Sequence, residues 1–106
     1  RRDEMIKTSG YRVSPTEVEE IVYATGLIGE CAAFGVAHDT LGHSITVVVT
    51  PPVGGTLDSA ALLAACRSRM PAYMVPAHID LRDSPLPRNP NGKIDRKALA
   101  AATQPD

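Results

Sequence analysis

Proline divides this chain into short pieces and so limits the length of every regular element in it. Of nine prolines, Pro51 and Pro52 close one apolar stretch and Pro71 closes another. Pro85, Pro87 and Pro90 together forbid regular structure until Asp95, because each ring fixes its own φ and removes a backbone donor. With 106 residues there is room for one hydrophobic core and not two. The pieces between the prolines must therefore pack on one another.

Met5 to Val13 reads as two short strands about the turn-prone pair Ser9-Gly10, a small hairpin. Ser14-Pro15-Thr16-Glu17 follows: a capping hydroxyl, a proline at the first helical position and a glutamate three residues after the cap. A helix starts there, burying Val18, Ile21 and Val22 and ending near Gly26. Glu30 to Ala37 and Ser44 to Thr50 are apolar runs whose spacing predicts adjacent antiparallel strands. Asp58 is placed to cap a second helix with Leu62, Leu63, Cys66 and Met70 along its core stripe. His78 to Asp83 alternates, which points Ile79 and Leu81 inward and Asp80 and Arg82 outward. After the proline-rich loop, Asp95 caps a last short helix over Arg96 to Ala102. The expected fold is α+β, with a small N-terminal hairpin and then a three-stranded sheet packed by helices, in the order β-β-α-β-β-α-β-loop-α.

The net charge of −1 conceals an uneven distribution. Residues 1–12 carry four basic and two acidic side chains, residues 13–81 two and seven, and residues 82–97 five and two. If the two basic segments meet they form a positive face suited to phosphate; if not, they are solvated surface. Nucleic acid is disfavoured, since Tyr11, Tyr23, Phe34 and Tyr73 are the only aromatic residues and none is interleaved with the basic clusters. No run approaches the roughly 18 apolar residues of a membrane span. Arg1-Arg2-Asp3-Glu4 is no signal peptide, and the first residue reads as a cut site. Cys31 and Cys66 lie in apolar stretches without metal-ligand spacing, as buried reduced thiols of a cytoplasmic protein do. His38, His43 and His78 fit no ligand spacing either, and no metal site is expected.

The loop ending in Asn91-Gly92-Lys93 is the first candidate for chemistry. It is long for a small domain, and an Asn-Gly turn would present Lys93 at its tip, where an ammonium can pair with phosphate or carboxylate oxygens. A Walker loop is excluded: Pro87 stands where its first glycine belongs, and Ile94 where a Ser or Thr must follow the lysine.

Three segments together carry a family likeness. Arg1-Arg2-Asp3-Glu4-Met5-Ile6-Lys7-Thr8-Ser9-Gly10-Tyr11-Arg12, followed by Val18-Glu19-Glu20, resembles the motif that opens the C-terminal domain of the adenylate-forming superfamily. That superfamily comprises acyl-CoA synthetases, luciferases and peptide-synthetase adenylation domains. Met70-Pro71-Ala72-Tyr73-Met74-Val75-Pro76 resembles its Leu-Pro-x-Tyr-Met-x-Pro block, with Met70 for the usual leucine. Pro87 through Lys97 resembles its final Asn-Gly-Lys block.

The resemblance implies a mobile C-terminal domain over residues 1–106: hinge and hairpin at 1–13, α+β core at 14–83, and a lysine loop with a terminal helix at 84–106. It implies a larger N-terminal domain as partner, which binds most of the substrate. Such enzymes use ATP with Mg²⁺ to turn a carboxylic acid into an acyl-adenylate. A thiol from CoA, or from a carrier protein's phosphopantetheine, then displaces AMP after the small domain rotates. By the same likeness, Lys93 matches the adenylation lysine and Asp3 the hinge. Arg1 and Arg12 match nucleotide- and phosphate-facing residues. Ser9, Gly10 and Tyr11 match the pantetheine channel, and Lys7, on the same hairpin, is a candidate for a role in the second step. Lys7-Thr8-Ser9-Gly10-Tyr11-Arg12-Val13 is closer to the acyl-CoA synthetase form than to the peptide-synthetase form, which remains the alternative among enzymes. Outside enzymes, the alternative is a non-catalytic phosphate-binding module.

Overall fold

The computed structural model describes residues 5–8, 10–38 and 42–103. The elements follow the expected order: β1 (Ile6–Thr8), β2 (Tyr11–Val13), α1 (Pro15–Ala24), β3 (Cys31–His38), β4 (Gly42–Val49), α2 (Ser59–Arg69), β5 (His78–Leu81) and α3 (Arg96–Thr103). Each helix begins where the side-chain chemistry places it. The Ser14 hydroxyl accepts from the Glu17 amide at 3.3 Å, Asp58 Oδ1 from Ala60 at 3.0 Å, and Asp95 Oδ1 from Ala98 at 3.0 Å. Each cap satisfies one amide that the first turn leaves without an intrahelical partner.

The five strands form one sheet among the described residues. β3 and β4 pair antiparallel along their whole length, Cys31 opposite Val49 and His38 opposite Gly42. The other edge of β4 is shared. Its later half takes β5 in parallel, from Thr46 opposite His78 to Val49 opposite Leu81, because the α2 crossover returns the chain in the same direction. Its first residue, Gly42, takes Thr8 of β1. The hairpin is thereby part of the main sheet, a pairing that no local sequence signal specifies.

Alternation along the strands gives the sheet two buried faces. Cys31, Ala33, Ile45, Val47 and Val49 turn to one side and pack with Val18 and Val22 of α1 and with Leu62 and Cys66 of α2. Ala32, Phe34 and Val48 turn to the other and meet Leu86 and Leu99. This second cluster seats α3 and the start of the lysine loop. Leu81 departs from expectation. Alternation sets it on the side of Ile79, which packs against the first cluster, yet Leu81 closes the edge strand and is 43% exposed. Cys31 and Cys66 are both buried and unpaired, and burial pushes both thiols up, with the charge of Glu19 adding to the effect at Cys31. Neither is a ready nucleophile. Among the described residues, no helix is long and apolar enough to cross a membrane.

Leu62 is fully buried where α2 meets the first cluster. In urea denaturation of this chain, Leu62→Ala is expected to lower stability by about 2–5 kcal/mol. Val53→Ala, at a fully solvent-exposed position, is expected to stay within about 0.5 kcal/mol.

Candidate functional site

The proline-rich stretch is a miniature hairpin and not an irregular loop. Leu86 anchors it in the second cluster. An isolated bridge joins Arg88 to Ile94, the Asn89 amide donates to the Lys93 carbonyl at 2.7 Å, and the Asp95 amide donates to the Pro87 carbonyl at 2.8 Å. At the tip the Gly92 amide donates to the Asn89 carbonyl at 2.9 Å, a β-turn with Pro90 at its second position, where a fixed φ is favourable. Gly92 follows at φ 84°, a conformation that side chains resist. The turn is thus centred on Pro90-Asn91, one residue earlier than the Asn-Gly pair suggests, and Lys93 begins the returning arm. The Asn89 side chain completes the turn: its Oδ1 accepts from the Asn91 amide at 2.9 Å and from the Lys93 amide at 3.1 Å.

Glu30, just before β3, ties this hairpin to the sheet. Its Oε1 accepts from the Leu86 amide at 2.9 Å and its Oε2 pairs with the Arg88 guanidinium. Arg88 in turn donates to the Gly92 carbonyl at 2.9 Å. The Leu86 amide, and then Arg88, hold the Glu30 carboxyl below its ordinary range against an opposing effect of burial.

A groove of about 660 Å³ runs between this hairpin and α1, lined by Glu19, Tyr23, Arg88, Lys93, Arg96 and Lys97 among others. Two of its cations are already committed: Arg88 to Glu30, and Arg96 to Glu19 through bonds of 2.7 and 2.6 Å. Lys93 and Lys97 are exposed and form no ion pair with a described residue. Their ammonium groups are the ones available to an incoming anion.

On the N-terminal hairpin, Lys7 and Arg12 stand directly opposite each other across β1 and β2, both exposed. Like charges in that register repel, and an anion between them would relieve the repulsion. Tyr11 stacks on Tyr73 with ring centroids 4.0 Å apart and planes 7° from parallel, which joins the first motif to the second. Gly10 has φ 84°, and a Cβ added there meets nothing within 4 Å. Any steric demand on Gly10 beyond its backbone conformation must come from outside the described residues.

No described residue of the N-terminal hairpin lines the groove, so Lys7 and Arg12 do not share that pocket with Lys93. Arg1, Asp3 and Ser9 lie outside the described residues. No group of three or more His, Cys, Asp or Glu among the described residues is placed to hold a metal ion. Sequence reading missed Glu30, Asn89 and the Glu19–Arg96 pair. Their partners are 56 to 77 residues away for the two glutamates, and for Asn89 the only signal was its place one residue before Pro90.

The sequence matches the AMP-binding enzyme C-terminal domain family over residues 17–93. It is 41% identical over 96 residues to the mitochondrial malonate–CoA ligase of Homo sapiens, an alignment covering 91% of this chain and 16% of that protein. A nonribosomal peptide synthetase of Curvularia clavata is 34% identical over 104 residues, 94% of this chain and 1% of the synthetase. Apo MatB from Rhodopseudomonas palustris superposes with a TM-score of 0.84 at 30% identity, over 93% of this chain and 20% of MatB. The chain spans 20% or less of the length of each of these proteins.

Because the Glu30 carboxyl is held below its ordinary value in the folded chain, its contribution to stability is complete above the unfolded Glu pKa of about 4.3. It is lost as pH falls through the lower folded value. The protection of the Leu86 amide, relative to its intrinsic exchange rate at each pH, is therefore expected to fall on acidification through that window. In Glu30→Gln the same amide is expected to exchange faster at neutral pH and to lose the acid step.

Proposed function

Because the chain belongs to the AMP-binding enzyme C-terminal domain family, we propose that it is the mobile lid of an ATP-dependent, AMP-forming acid–thiol ligase. In this reading a larger N-terminal domain binds the carboxylic acid and ATP. Lys93 then enters that site, where negative charge accumulates on the carboxylate and α-phosphate oxygens as the adenylate forms. A cation fixed at that point stabilises the transition state more than the ground state.

The observation that carries the proposal is an exposed ammonium, without an ion-pair partner among the described residues, on a tightly built and doubly anchored hairpin. An ordinary surface lysine needs no such support. Lys93 retains three donors, and its neighbours Arg88 and Arg96 are held by Glu30 and Glu19, so neither competes for the same oxygens.

A second observation supports two working faces. The lysine hairpin is tied to Glu30, at the start of β3, whereas β1 pairs beside Gly42, opposite the last residue of β3. Eight strand steps of about 3.3 Å separate the two anchor points by roughly 25 Å. One active site cannot receive both without reorientation of the domain, and rotation about Asp3 would supply it. After rotation, Gly10 and Tyr11 would border the thiol's path, with Arg12 and Lys7 near phosphate groups and Arg1 near the nucleotide. The acceptor is read as CoA from the form of residues 7–13, with a carrier protein's phosphopantetheine as the competing acceptor.

In the full-length ligase, Lys93→Ala is expected to slow adenylation by on the order of 10²–10³-fold, as loss of one oxyanion donor does. It is expected to spare thioester formation from supplied acyl-adenylate. Gly10→Leu is expected to do the reverse. Pyrophosphate exchange and thioester release measure the two half-reactions. Equal impairment of both by Lys93→Ala, or an intact second step in Gly10→Leu, refutes the two-face assignment.

A further inference from the structure

We infer that Asn89 is the positioning residue for Lys93, an assignment that rests on the adenylation role proposed for that lysine. Both backbone polar groups of Lys93 end on Asn89. Its carbonyl accepts from the Asn89 amide at 2.7 Å, and its amide donates to Asn89 Oδ1 at 3.1 Å. The same Oδ1 accepts from the Asn91 amide at 2.9 Å, and the Asn89 carbonyl accepts from Gly92 at 2.9 Å. One residue therefore makes four bonds across the turn, and two of them depend on its side chain.

The Lys93 side chain itself has no ion-pair partner among the described residues, so its starting point in space is set by its backbone alone. A flexible four-carbon stem tolerates a mobile tip poorly when its ammonium must meet two oxygens at once. Pro90 narrows the turn from one side by fixing its own φ. Asn89 closes it from the other, through an acceptor that Ala lacks and that a hydroxyl residue supplies more weakly. Glu30 and Arg88 secure the base of the hairpin and Arg88 also steadies the Gly92 carbonyl before Lys93, whereas the amide and the carbonyl of Lys93 itself both bond to Asn89.

The assignment makes Asn89 silent wherever Lys93 is absent. In the full-length ligase, Asn89→Ala is expected to lower kcat for pyrophosphate exchange by on the order of 10–10²-fold, the scale of a misplacement of about 1 Å. KM for ATP and for the acid is expected to change by less than about threefold, because the lost interaction belongs to the transition state. Asn89→Thr, which keeps an acceptor oxygen, is expected to fall between Ala and the native residue. In a Lys93→Ala background, Asn89→Ala is expected to cost nothing further, since two residues acting through one group are non-additive. Native exchange in Asn89→Ala overturns the inference, as does an equal loss with and without Lys93, which would mark a merely structural role. Undiminished exchange in Lys93→Ala alone overturns instead the adenylation reading beneath it.

Discussion

The Glu19 carboxylate, received by one strand edge and by one helix, is the interaction on which the rest of the architecture leans. Its Oε2 accepts from the Ala33 amide at 2.8 Å, on the side of β3 that faces away from β4. Both of its oxygens accept from Arg96. Since α1 packs on one face of the sheet and α3 on the other, the pair wraps around the edge strand and joins the two layers. The Glu19 side chain is only 13% exposed and that of Arg96 26%. Losing the arginine would leave a partly buried carboxylate short of donors, at a cost on the order of 2 kcal/mol.

The same helix also covers the start of that edge. Tyr23 sits one helical turn beyond Glu19, and its hydroxyl accepts from the Cys31 amide at 2.9 Å and lies 3.3 Å from the Cys31 carbonyl. An uncovered edge strand invites pairing with another chain, and here two side chains of α1 occupy the outward amides of Cys31 and Ala33. One consequence bears on function. The floor of the groove beside Lys93 is built from neutralised or hydrogen-bonded groups, so the remaining positive charge is concentrated in the ammonium groups of Lys93 and Lys97. A fixed cation is useful in catalysis only when its neighbours do not already hold its counter-charge.

Two different anchoring schemes follow from the two ends of β3. At its start, Glu30 and the buried Leu86 hold the lysine hairpin through an ion pair, a backbone bond and a core contact. Near its end, the N-terminal hairpin is attached through the β1–β4 pairing and the stacked rings of Tyr11 and Tyr73. One end is charge-clamped and the other rests on strand pairing and aromatic contact.

What the sequence determined by itself is local. Ser14, Asp58 and Asp95 start helices because a side-chain oxygen within three residues can satisfy a free amide, and the prolines end elements because their geometry leaves no choice. Alternation in the last strand turned Ile79 toward the core, and three motifs sufficed to name the family and to single out Lys93 as a candidate. The tertiary structure decided everything that needed a partner far along the chain. It placed β5 parallel to β4, drew the hairpin into the sheet and left Leu81 exposed at an edge. It converted a proline-rich stretch into a hairpin held by Glu30, and it set Arg96 against Glu19. Sequence spacing carries no information about which distant carboxylate meets which guanidinium or amide. That is settled only when the two faces of the sheet are filled and the remaining polar groups must find partners within hydrogen-bonding reach.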